Sequence, residues 1–186
     1  MNEKYQTFWR RFFAGIVDGF VLMPLGYLLN LSPPSILELN GISDTAYMLF
    51  TTVLWHASVY TYSIVLHWKY GQTLGKRLCN VRVVDVSETR LLTLDQAFRR
   101  DSIPITLAAI GIMMSAFMVF TGEFWLGVVA SGLLGSVDFI WFLLEIITMA
   151  TNDKRRAFHD YIAGSVVVQD EYWHGARSQD DVKVRT

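Results

Sequence analysis

The chain has 186 residues, of which 52% are hydrophobic and 18% charged, against roughly 45–50% and about 25% in an ordinary soluble protein. Its 16 bases and 17 acids leave a formal charge of -1, so the totals give no support for a nucleic-acid surface. One cysteine, Cys79, excludes a disulfide scaffold and a multi-cysteine zinc site.

Placement along the chain decides the class. A spanning helix needs about 20 mostly apolar residues. Four stretches qualify: 12–31, 46–68, 102–121 and 124–150. Only Gly122 and Glu123 separate the last two, which predicts a helical hairpin turning near Gly122. Every base falls in the N-terminal segment, the connection 69–101 or the segment after residue 150. The connections 32–45 and 122–123 carry only the acids Glu38, Asp44 and Glu123. By the positive-inside rule, both termini and the central loop are then cytoplasmic. Trp9, Trp68 and Tyr70 mark one set of run ends, and Tyr47, Phe124 and Trp125 the other, as interfacial belts do. The first run carries Asp18 and is followed by Ser32-Pro33-Pro34-Ser35 rather than a cleavage site, so it reads as a retained helix. The expected fold is an all-α membrane protein with four transmembrane helices. Its expected place is the cell's inner (plasma) membrane, with the lipid bilayer as partner. Residues 1–169 form one domain, and 170–186 a polar cytoplasmic tail.

The loop 69–101 has a pattern of its own. Val81, Val83 and Val86 alternate as in a short strand. Ser87-Glu88-Thr89-Arg90 reads as a turn, and Leu91–Thr93 as a return strand. Thr93-Leu94-Asp95-Gln96 matches a capping box. It opens a short amphipathic helix through Arg100, with Leu94, Ala97 and Phe98 toward an apolar surface and Arg99 and Arg100 toward lipid phosphates. Ser165–Val168 is another strand candidate, and pairing with Val81–Val86 is one arrangement open to it.

Three elements recur in a known order. The first is Arg11-x-x-Ala14-x-x-x-Asp18. The second is Gly71-Gln72-Thr73-Leu74-Gly75-Lys76-Arg77-Leu78, leading to Val81-Arg82-Val83-Val84-Asp85. The third is Arg155-Arg156-Ala157-Phe158-His159-Asp160-Tyr161-Ile162-Ala163-Gly164. Together they resemble the RDD family of small integral membrane proteins, named for one arginine and two aspartates. The resemblance implies Arg11, Asp18 and Asp160 as signature residues, with Asp138 the other choice for the second acidic role. It also implies a transport-related activity, proton-coupled cation exchange having been proposed for the family.

Asp18, Asp138 and Glu145 lie within the apolar runs. An ionised acid at mid-bilayer costs about 2.5–3.5 kcal/mol on insertion scales, so each must face protein or water. Asp138 and Glu145 are seven residues apart and share a helix face. One reading makes the three acids a pathway that holds a proton and a cation, Na⁺ or another monovalent ion, in turn. Ser131, Ser136, Thr148 or backbone carbonyls freed near Pro24 then supply neutral oxygens. The other reading is structural, with Asp18 paired to Arg11, Arg155 or Arg156. Gly15-x-x-x-Gly19 and Gly127-x-x-x-Ser131-x-x-x-Gly135 are candidate faces for close helix packing. Four spans make a thin transporter, so exchange implies a homodimer. His56 reads as a hydrogen-bonded core residue and His67 as interfacial. His159-Asp160 has no second cluster to support a metal, and Gly71–Lys76 lacks phosphate-loop spacing. No enzyme activity, cofactor, metal or nucleic-acid partner is expected. The rival to transport is a membrane adaptor or assembly subunit.

Overall fold

The computed structural model describes residues 3–29, 44–122 and 124–173. Glu38, Glu123, residues 30–31, the side chains of Asp44 and Phe124, and the tail from residue 174 lie outside the described residues. Four long helices dominate: α1 (Phe8–Leu29), α2 (Asp44–Tyr70), α4 (Leu94–Thr121) and α5 (Phe124–Thr151). Each is long and apolar enough to cross a membrane. Between α2 and α4 lie a five-residue helix, α3 (Leu74–Leu78), and the strand β1 (Val81–Asp85). After α5 come α6 (Phe158–Ala163) and β2 (Ser165–Gln169).

The hairpin turn falls where the sequence predicts it. Gly122 ends α4 in the left-handed conformation, φ 71°, and its N–H bonds to the Met118 carbonyl at 2.9 Å. That geometry suits glycine because any Cβ there is strained. Two expectations for the central loop need correction. Leu91–Thr93 forms no strand. The capping box is real, with Thr93 and Gln96 bonded reciprocally, but the helix it opens does not stop at Arg100. It runs through Pro104 into the third span as one 28-residue helix. Nothing between Arg100 and Ser102 breaks helix, so amphipathic segment and span merge.

The long-range strand pairing that the sequence left open forms. β1 and β2 run antiparallel, with Val81 opposite Gln169, Val83 opposite Val167 and Asp85 opposite Ser165. Both faces of this small sheet are covered. Tyr5, Leu91 and Trp173 pack on Val84, Val166 and Val168, while Leu92 and Cys79 pack on Val81, Val83 and Val167. The chain start, the central loop and the segment after α5 therefore meet at one end of the bundle. Glu88 joins all three, accepting from Tyr5 at 2.6 Å and pairing with Lys4 and Lys154. Elsewhere the long helices turn large side chains outward, Phe120 at 85% and Trp125 at 77% exposure. Such surfaces need an apolar solvent.

Helix packing at the sheet end depends on one glycine. A Cβ on Gly75 would stand 2.1 Å from the Ala14 carbonyl oxygen and 2.9 Å from the Asp18 carboxyl carbon. The missing side chain lets α3 lie directly on α1. Gly15 and Gly19 have nothing within 4 Å at the Cβ position, and the same holds for Gly135. Gly127 faces the Met118 side chain of α4.

Two outcomes follow. Gly75→Ala should lower stability by about 1–3 kcal/mol, the usual cost of overpacking, while Gly19→Ala should not; parallel thermal melts in one detergent separate them. Burial disfavours the charged form of Glu88, but hydrogen bonds from Lys154, Lys4 and Tyr5 override it and bring the carboxyl down from 4.5 to about 2. A depressed acid stabilises fully above its ordinary value and loses that contribution as pH falls through its folded value. Melting temperature should therefore drop as pH falls from 4.5 toward about 2, and Glu88→Gln should flatten that limb.

Candidate functional site

Asp160 sits on α6 with no exposed surface. Its carboxylate meets Arg11 of α1 at 2.7 Å and Arg100 of α4 at 3.1 Å. It also accepts from the Ala157 backbone N–H at 3.0 Å and the Ser165 hydroxyl at 3.1 Å. Burial works against its charge, yet the two guanidiniums hold the carboxyl well below the usual carboxylate range. His159, beside it, bridges Arg100 Nη2, at 2.7 Å, and the Glu145 carboxylate of α5. One buried ion network thus joins α1, α4, α5 and α6. Arg156 supports it by donating to the Ser165 and Asp160 carbonyls, at 2.8 and 2.9 Å, while stacking on the Tyr161 ring.

The position of Arg100 corrects the sequence reading. It does not turn to lipid phosphates but is buried, 5% exposed, against Asp160 and His159. Ala97, one turn earlier, is buried on the same helix, while Leu94, Phe98 and Arg99 are exposed. Helical phase separates the two adjacent arginines once the helix is continuous.

Asp18 is held by different partners from the arginines the sequence suggested. Its Oδ1 accepts from the Tyr62 hydroxyl at 2.7 Å and the Gly75 N–H at 2.8 Å. Its Oδ2 accepts from the Thr73 hydroxyl at 2.6 Å. Thr73 also caps α3. The carboxylate therefore anchors the start of α3 against α1, at the helix end where anions are favoured. His67, in the last turn of α2, is buried, and its Nε2 lies 2.5 Å from Lys76 Nζ. Burial and neighbouring Arg100 bring the Lys76 ammonium down to about 7.

These groups line three cavities that share walls. A cleft of about 630 Å³ between α1 and α5 is lined by Arg11, Asp18, Lys76, Arg100, Glu145 and His159. A second, of about 430 Å³, shares Gly15 and Asp18 with it and continues past Gly19 to His56 and Tyr60. A third, of about 450 Å³, shares His56 and Tyr60 and ends on Ser131, Gly135 and Asp138. His56 Nδ1 lies 2.9 Å from the Thr52 carbonyl, and the Tyr60 hydroxyl donates to the Pro104 carbonyl at 2.9 Å. Asp138 and Glu145 open onto different cavities, one at each end of the series.

Sequence reasoning does not reach Arg100, Tyr62, Thr73 or Lys76 as site residues. The signals were partial: Thr73 and Lys76 stand inside the glycine-rich motif, and the capping box marks the start of the helix that carries Arg100.

The fold is that of a multi-pass α-helical membrane protein. The model of the RDD family matches residues 5–164, and the chain belongs to that family. It is also similar to the uncharacterized membrane protein YteJ of Bacillus subtilis (strain 168), 25% identical over 177 residues, which cover 93% of this chain and 86% of that one. No solved structure matches.

Arg100→Leu should cost about 3–5 kcal/mol, because it removes half the charge facing a buried carboxylate. Arg99→Leu removes only an exposed pair with Asp95 and should cost less than about 1 kcal/mol. Thermal unfolding monitored by tryptophan fluorescence checks the contrast.

Proposed function

We propose that the protein is transport-related and exchanges protons for a monovalent cation, Na⁺ or another, across the inner membrane. The observation that carries this reading is the series of three cavities with shared walls, running from Glu145 and His159 past Asp18 to Asp138. An acid deep in an apolar helix is costly unless it faces water or an ion. Asp138 is the proposed ion-binding carboxylate, with Ser131 and Ser115 on the same cavity wall as neutral oxygens. His56 and Tyr60 stand on the wall between Asp138 and Asp18. Glu145, paired with His159, is the proposed proton acceptor at the other end. Asp18, already met by three donors, lines the passage and fixes its wall.

The sheet-bearing end is proposed to face the cytoplasm, with both termini. All the bases lie outside the two connections 32–45 and 122–123, and the positive-inside rule orients such a chain. Two copies related by symmetry would give the thin bundle a closed path. A second reading, an adaptor without transport, is favoured by the complete hydrogen bonding of Asp18 and Asp160, which serves folding alone.

Purified protein in lipid vesicles separates these. With an imposed Na⁺ gradient, internal pH should change, and Asp138→Asn should reduce the rate by at least about tenfold while melting normally. Asp18→Asn should lower thermal stability instead. Absence of flux with Na⁺, K⁺ and Li⁺ in folded protein would sink the exchange reading and leave the adaptor.

A further inference from the structure

The cleft between α1 and α5 contains more hydrogen-bond donors than its own acids can meet. Asp160 is shared between Arg11 and Arg100. Glu145 is taken by His159, and Asp18 by Tyr62, Thr73 and Gly75. The Arg11 side chain is 10% exposed. Its Nη1 bonds Asp160 and lies 3.6 Å from the Met149 sulfur. Its Nε and Nη2 are buried and have no hydrogen-bond partner among the described residues. Buried donors left unmet cost about 1–3 kcal/mol each and point to an acceptor from outside the chain. Lys76 lies in the same lining, its ammonium against His67.

The rest of the cleft is apolar. Phe8, Trp9, Phe12, Phe142, Ile146 and Met149 form its walls, and Trp9, Phe12 and Phe142 are exposed on the bundle surface where lipid lies. At about 630 Å³ it exceeds the roughly 30 Å³ share of one water many times over. Cationic donors at the base with an apolar wall open to the bilayer match an anionic amphiphile. A phosphate offers several acceptor oxygens to guanidinium and ammonium groups, in bonds stronger than neutral ones.

We propose that this cleft binds an anionic phospholipid of the leaflet on the sheet's side. The phosphate meets Arg11 and Lys76, and an acyl chain lies between Phe12 of α1 and Phe142 of α5. The lipid joins two helices that the ion network connects only through Asp160 and His159. This does not rest on the exchange reading: a lipid at this site serves an adaptor equally well.

Native mass spectrometry of the full chain in detergent tests it. The protein is offered phosphatidylglycerol, phosphatidylcholine of the same acyl chains, or inorganic phosphate. One phosphatidylglycerol per chain should be retained, on the order of tenfold more strongly than phosphatidylcholine. Arg11 variants would lose the Asp160 pair and fold poorly, so two other changes carry the test. Ile146→Trp fills the apolar wall and Lys76→Gln removes a cation; both should melt like the parent and lose most of the retained lipid. Equal retention of the two lipids, or unchanged retention by both folded variants, would overturn the proposal. Inorganic phosphate bound as tightly as phosphatidylglycerol would assign the site to a free anion and overturn the lipid.

Discussion

A carboxylate with no exposed surface must be neutralised by its neighbours, and Asp160 recruits them from across the chain. Arg11 comes from the first helix and Arg100 from the third span, separated from Asp160 by 149 and 60 residues. Ser165 and the Ala157 backbone complete its shell. Because the desolvation of such a group is large, its partners have little freedom to move away. The ends of α1, α4 and α6 are therefore fixed relative to one another at the sheet side. His159 extends the network to Glu145 and so to α5. The cleft between α1 and α5 has this network at its base and apolar side chains on its walls.

A second polar anchor, Asp18, sets the other boundary. It draws α3 onto α1 through Thr73 and Gly75, and Gly75 has no side chain to obstruct the approach. Asp18 and Asp160 thus both carry hydrogen bonds that the fold needs. Asp138 differs. It lines a cavity beside His56 and Tyr60 and belongs to neither anchor. The contrast separates two acids that hold helices together from one that lines a cavity.

The spans were legible because hydrophobic run length is a strong, local signal, and the hairpin because Gly122 punctuates two long runs. The capping box at Thr93 was equally local. The strand pair was visible as two valine-rich segments, but their register depends on residues 80 to 88 positions apart. The interior position of Arg100 was hidden by a local ambiguity, since an arginine at a span's edge suits lipid phosphate as well as a buried acid. Only the continuity of α4 fixes its direction. The glycine spacing in α1 pointed to Gly15 and Gly19, whereas the close approach is made by Gly75, whose partner face could not be read from its own segment. The three cavities were illegible because they depend on how α1, α2, α4 and α5 are set beside one another.

The antiparallel pairing of β1 with β2 has a consequence for assembly. Synthesis runs from the N-terminus, so Arg11, Arg100 and β1 all emerge before residue 160 and β2 exist. Until then two cationic side chains at the bilayer edge lack their carboxylate, and one strand presents an unpaired edge. The first three spans are thus an incomplete folding unit, and the segment after α5 supplies both the carboxylate and the second strand. A chain ending within α5 would carry its hydrophobic helices without the residues that seal their polar base.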